Sequence, residues 1–363
     1  MSNLAEVQTE IGLEGEPAPR KRATLFRGAA EELSPSRRVP GGALVISLDF
    51  ELYWGVRDKR SVADYREHLL GVQQVVPELL ALFNDYGIHA TWAMVGLLLL
   101  DDIEELELYR PARLPNYRRR ELDPYRYAEH TSWPSDSLPL HFAPGLARLI
   151  RDTPRQELGS HTFSHYYCLE EPEDLESFEC DLLAAKRVSS EKLGVTLESL
   201  VFPRNQYSLR HLAAAKRHGI LAVRGNPDSW LWEPRPELEQ QPVFRAGRLL
   251  DAYLPVPSLR RATESIAPEL PADVRAARFL RPWSAELCAL EPVKIRRICW
   301  ELREAERTGD VYHLWWHPHN FGRERRQNLA ALREILDTFA ELSASYGMRS
   351  WTMAEAARFA GVP

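Results

Sequence analysis

The chain has 363 residues, 44% of them hydrophobic and 27% charged, which supports a sizeable core and excludes a wholly disordered or collagen-like polymer. Forty-six basic residues against 52 acidic ones leave a net charge of −6, so nothing in the charge balance points to a nucleic-acid partner. Four scattered cysteines without a CxxC pair argue against a disulfide framework or a cysteine-rich zinc site.

Residues 1–40 read as a tail with little to bury, ending in PSRRVPGG, and residues 41–363 as one folded domain. The opening MSNLAEVQTEIG lacks the basic-then-apolar pattern of a secretory signal, which makes the cytoplasm the expected location. Ala43–Phe50 is a short, mainly apolar run after two glycines, the pattern of a strand buried on both faces. From Tyr65 to Asp85 apolar residues recur at helical spacing, and Gly87 follows as a C-terminal cap. Ile88–Val95 reads as the next strand. The longest apolar run, Ala93–Leu100, is far too short to cross a bilayer.

The alternation continues. Short strands are expected at Glu157–Ser160, Ser199–Phe202, Ile220–Val223 and Val311–Trp316, with helices near 172–192, 208–218, 286–307 and 326–345. Alternation of this kind predicts an α/β fold with parallel strands, in which functional residues collect at the C-terminal strand ends. Two long insertions, 101–145 (rich in tyrosine and arginine) and 225–285 (rich in proline, arginine and tryptophan), are candidates to roof such a site.

Polar clusters fall where strands end. Asp49 and Glu51 are two apart on an extended chain and so share a face, an arrangement that can divide metal binding from proton handling. His161 and His165 are spaced to share a face of one helical turn, and imidazole pairs are ordinary zinc ligands. Arg204, in Pro203-Arg-Asn-Gln-Tyr207, is placed to orient Asp49, and the N–H groups of that turn to face a developing oxyanion. Asn226-Pro-Asp228-Ser-Trp230 follows the next strand. In Val311–Asn320, His317 at the strand end suits a general acid; His313 is expected in the barrel wall and His319 as a loop brace.

The order and identity of these clusters resemble the polysaccharide deacetylases of carbohydrate esterase family 4, the NodB-like homology domain, over residues 41–358. The resemblance implies a distorted (β/α)7 barrel with long strand-to-helix insertions, around one divalent metal ion, Zn2+ or alternatively Co2+ or another divalent. HTFSH is similar to the family's metal motif, which makes His161 and His165 ligands. Where the family has two adjacent aspartates this chain has Asp49-Phe50-Glu51, read as Asp49 the base and Glu51 the third ligand, with Asp49 as the alternative ligand. The resemblance carries Arg204 over as the residue orienting Asp49, and Asp228 as the partner of the catalytic His317. An N–H near Asn205 or Gln206 becomes the oxyanion donor; Tyr207 and Trp230 complete the substrate side. The expected function is metal-dependent removal of an N-acyl group, in the simplest case N-acetyl, from an amino sugar that is a cytoplasmic glycan precursor or is linked to a lipid or nucleotide.

Two other readings stand beside it. An amidohydrolase-type enzyme would use His317 and His319 as an HxH metal pair, and a pseudoenzyme would keep the barrel to bind glycans. The expected partner is a carbohydrate, with no nucleic acid and no membrane span. Apolar residues exposed on the 286–307 helix would support a homodimer.

Overall fold

In a computed structural model, the structure describes residues 38–170, 174–227, 230–232, 242–253 and 269–361. The first 37 residues of the expected tail, and Asp228, lie outside them. So do parts of the second insertion, and the side chain of Trp230 is likewise not described.

Among the described residues nine strands form one sheet: β1 (Ala43–Phe50), β2 (Ala90–Met94), β3 (Gln156–Ser160), β4 (Ser199–Leu200), β5 (Ala222–Val223), β6 (Ala272–Asp273), β7 (Arg278–Phe279), β8 (Val311–Trp316) and β9 (Arg349–Trp351). Their order is β6-β5-β4-β3-β2-β1-β8-β7, every pairing is parallel, and β9 adds to β1. β2 takes Ile46–Phe50 of β1 and β9 takes Ala43–Val45, while β8 runs along Ala43–Leu48. The result is an α/β fold, a curled half-barrel of parallel strands flanked by helices.

Local chemistry accounts for the main elements. All eight residues of β1 are buried, in keeping with its mainly apolar sequence and its place as a central parallel strand. The long helix Val62–Tyr86 starts where the Ser61 hydroxyl accepts the Asp64 N–H, and stops at Gly87, whose φ of +64° is the left-handed cap that glycine adopts without strain. Its buried side, Leu69, Val72, Val76, Leu79, Leu80 and Phe83, joins the large core with Trp92, Trp316 and the apolar face of the helix Arg325–Tyr346.

Two expectations are corrected. The insertion 225–285 is not one irregular loop: it contains β6, β7 and the helix Pro242–Tyr253. Two-residue strands between prolines leave no periodic signal to read. Nor does the insertion 101–145 roof the site. Tyr109, Tyr117 and Tyr125 are buried, and Tyr127 and Trp133 pack with Trp54, His141 and Phe142 in an aromatic cluster. Its arginines pair with acids, Arg110 with Glu107 and Arg113 with Asp174 and Glu176. The insertion's aromatics bury surface instead of presenting it to a ligand.

Candidate active site

Because the strands are parallel, the residues after β1, β3, β4, β5 and β8 converge at one end of the sheet. There they line a cavity of ≈ 400 Å³ that includes Asp49, Glu51, His161, His165, Arg204, Asn205, Gln206 and His317.

Glu51, His161 and His165 come together, all three buried, with one donor atom of each within 4.8 Å of the others. Glu51 Oε2 is 3.3 Å from His161 Nε2 and 3.0 Å from His165 Nε2. The His161 ring is oriented by Val201, whose carbonyl oxygen lies 2.8 Å from Nδ1. A carbonyl can only accept, so in the neutral ring Nδ1 carries the proton and Nε2 turns a lone pair toward Glu51 Oε2. Two acceptors facing each other in a buried site fit a cation between them. Burial lowers the His165 ring to about 4, so that ring is neutral near pH 7. Burial alone would raise the Glu51 carboxyl, yet the group is held well below the usual carboxylate range, with His317 the largest lowering influence. Two imidazoles and one carboxylate are a donor set suited to a divalent ion with open positions. Gly55 makes the room: a Cβ there would lie 1.9 Å from Glu51 Cδ.

Asp49 faces a different partner. Arg224, directly after β5 and 1% exposed, donates to Asp49 Oδ1 at 2.6 Å and Oδ2 at 2.7 Å, and also to Ser47 Oγ and Asn205 Oδ1 at 3.1 and 3.0 Å. Its guanidinium lies 4.0 Å above the Trp315 ring. Burial raises the Asp49 carboxyl, but Arg224, His161 and His317 together bring it below its ordinary value. The fork occupies Asp49 in a fixed plane, and Glu51 is the carboxylate turned toward the imidazoles.

This corrects the expectation for Arg204. Its guanidinium pairs with the buried Asp58 and lies 4.2 Å over the Tyr167 ring, which in turn packs edge-on against His165. Arg204 and Asn205 have φ of +55° and +52°, a left-handed turn that carries the Arg204 side chain away from Asp49. The oxyanion expectation is corrected as well. The Asn205 and Gln206 N–H groups are used inside the turn, donating to Phe202 O at 2.8 Å and Pro203 O at 3.1 Å. Gln206 donates its side chain to Glu170, and the Tyr207 hydroxyl accepts the Asn226 N–H.

The His317 side chain is 23% exposed, with Nε2 3.7 Å from Asp49 Oδ2 and 3.6 Å from Glu51 Oε1. Asn320, one turn on, brings its amide nitrogen to 3.4 Å from His317 Nδ1. His319 is buried, stacks on His317 at 5.0 Å and accepts at its carbonyl from His68. The two rings lie nearly parallel, at 26°, and no third donor joins them among the described residues, so the HxH pair is not assembled as a metal site. His313 sits in the wall between Val274 O and Ser47 Oγ, and burial lowers it to about 3.

Sequence reasoning missed Arg224, Asn320, Trp232 and Arg248. Trp232 and Arg248 line the cavity from the second insertion, with the Arg248 guanidinium 5.1 Å over the Trp232 ring. Arg224 carried a readable signal, since it is the first residue beyond an expected strand and so stands at the sheet end where the acids are.

Residues 70–223 match the polysaccharide deacetylase family model. A candidate polysaccharide deacetylase from Mycobacterium smegmatis superposes with a TM-score of 0.55 at 15% identity, covering 91% of this chain and 95% of that one. The Xyl-CE4 domain of a multidomain xylanase from the hindgut metagenome of Trinervitermes trinervoides gives 0.40 at 10% identity, covering 89% and 92%. A CE4 family pseudoenzyme from Bacillus anthracis gives 0.41 at 11%, covering 90% and 70%. No curated protein sequence matches. The matched segment spans β2 to β5 and holds the histidine pair, so residues 70–223 carry the match to the polysaccharide deacetylase domain.

Proposed function

We propose that this protein is a metal-dependent carbohydrate N-deacetylase, hydrolysing the N-acetyl or another N-acyl group of an amino sugar. The observation that carries the reading is the convergence of His161 Nε2, His165 Nε2 and Glu51 Oε2 beside a carboxylate, Asp49, held apart from them by Arg224.

Glu51, His161 and His165 would hold one divalent ion, Zn2+ in the simplest case and Co2+ as an alternative. When bound, such an ion polarises an acyl carbonyl and lowers the pKa of water toward about 7. The protein's residues do the rest. Asp49, fixed by Arg224, takes a proton from the attacking water at a carboxylate oxygen. His317, with Nε2 3.7 Å from Asp49 Oδ2, gives a proton to the departing sugar nitrogen, and Asn320 beside Nδ1 keeps that ring in place. One water is consumed; the C–N bond breaks, and a carboxylic acid and a free amine leave.

The cavity volume of ≈ 400 Å³ suits one acylated sugar of a small or carrier-linked precursor. A cytoplasmic location belongs to the same proposal. Purified enzyme with one equivalent of Zn2+ or Co2+ should release acetate from N-acetyl amino-sugar precursors. Activity confined to polymeric chitin or peptidoglycan would overturn the precursor assignment. Glycan binding without turnover in any metal form would favour the pseudoenzyme.

A further inference from the structure

The turn that carries both histidines is the most constrained part of the site. Thr162 and His165 have left-handed backbone, φ +63° and +60°, although neither is glycine. Residues of this kind keep such a conformation only where the surroundings over-determine it. On one side, the N–H groups of Gly96 and Leu97 donate to the carbonyls of Thr162 and Phe163 at 2.9 and 3.0 Å. Contact is so close that a Cβ on Gly96 would lie 2.6 Å from Phe163 Cδ2. Within the turn, Thr162 Oγ1 accepts the Tyr166 N–H at 2.7 Å.

The other side is held by one residue of the helix Leu175–Leu193. Asp181 is fully buried there, and its carboxylate accepts from Phe163 N at 2.6 Å, Ser164 Oγ at 2.5 Å and Ser164 N at 3.3 Å. These partners are all neutral. Burying a carboxylate without an opposite charge is costly, and an apolar side chain would fill the same helix position at lower cost. What Asp181 supplies that an apolar residue cannot is a grip on two consecutive N–H groups of the strained turn, midway between His161 and His165.

We propose that Asp181 is a positioning residue for the metal: it locks the 161–165 turn in the geometry that aims both imidazoles at Glu51, and so sets metal affinity. The proposal rests on the reading of Glu51, His161 and His165 as ligands.

The test is Zn2+ affinity by competition with a chromophoric chelator, measured beside the melting temperature of the metal-free protein. Asp181→Ala should bind Zn2+ roughly 10–100-fold more weakly than wild type, the range found when the groups that orient ligands are lost. Asp181→Asn should recover most of that, since its amide oxygen still accepts the Phe163 N–H. Should Asp181→Ala fail to fold, Ser164→Ala carries the test: it removes one bond of the clamp and should weaken Zn2+ binding several-fold at a near-normal melting temperature. A lowered melting temperature with wild-type Zn2+ affinity, in whichever variant folds, would reduce Asp181 to a stability residue and overturn the proposal. A wild type that binds no Zn2+ would overturn the ligand reading along with it.

Discussion

Arg224 grips Asp49 with both arms of its guanidinium, at 2.6 and 2.7 Å, and both groups are buried. On the proposed reading, the pair separates the carboxylate that would meet a metal, Glu51, from the one that would handle a proton, Asp49. Arg224→Ala should therefore lower kcat by about 100-fold, the cost typical of a small misplacement of a reacting group, and destabilise the fold by about 3–5 kcal/mol through the stranded Asp49 charge. Arg204→Ala, which leaves the Asp49 fork intact, should have a much smaller effect on kcat. Steady-state kinetics with chemical denaturation of both variants checks this; equal kcat losses would return Arg204 to the role first expected of it.

Asp49→Asn keeps the shape of the pocket and removes the proton acceptor. Turnover should fall by about 10²–10⁴-fold, the usual contribution of a general base, while substrate still binds. Calorimetric titration of the variant with an N-acetyl amino sugar separates the two effects. Full activity in Asp49→Asn would exclude Asp49 as the base.

Metal content distinguishes the two histidine pairs. Wild type and the His317→Ala/His319→Ala double variant should each retain one divalent ion per chain, and His161→Ala/His165→Ala should retain none. Elemental analysis after dialysis against Zn2+ reads this directly. Loss in His317→Ala/His319→Ala alone would move the site to the HxH motif.

Gly55 lies against the Glu51 carboxyl, and a methyl group there would have to displace it. Gly55→Ala should weaken Zn2+ binding by about 10-fold or more, in line with other changes that disturb a ligand's support. Gly145→Ala, where a Cβ meets nothing within 4 Å, is the matched control and should bind normally. Chelator competition on both proteins gives the answer.

Away from the site, Glu301 is buried between Arg278, which it meets through two 2.8 Å bonds, Arg297 and the Tyr312 hydroxyl. Burial raises its carboxyl, yet Arg278 and the other donors bring it below its ordinary value of 4.5. A depressed carboxylate contributes stability that is fully present above the unfolded value and is lost as pH falls through the folded one. Glu301→Gln should thus be less stable than wild type at pH 7, by about 3 kcal/mol, with the gap closing below pH 4.5. Denaturant titrations across pH 3–7 would show it; a gap independent of pH would mean that the ion pair contributes packing alone.

Much was legible in the chain order of residue types. The mainly apolar run of β1, the helical spacing after Tyr65 and the polar clusters at strand ends specify parallel strands and one functional end, because burial on both faces and helical amphipathicity both leave a periodic trace. The types needed for a metal and a proton relay, Asp49, Glu51, His161, His165 and His317, could be named from sequence for the same reason. What only the tertiary structure decided is which of them meet. Arg204 and Arg224 both follow neighbouring strands, and a left-handed turn at Arg204 and Asn205 sends the first to Asp58 while the second reaches Asp49. No sequence period predicts positive φ at two non-glycine residues; that conformation is held by contacts from distant segments. The strands β6 and β7 and the cavity wall of Trp232 and Arg248 were hidden likewise, since two residues of strand define no pattern until a neighbouring strand pairs with them.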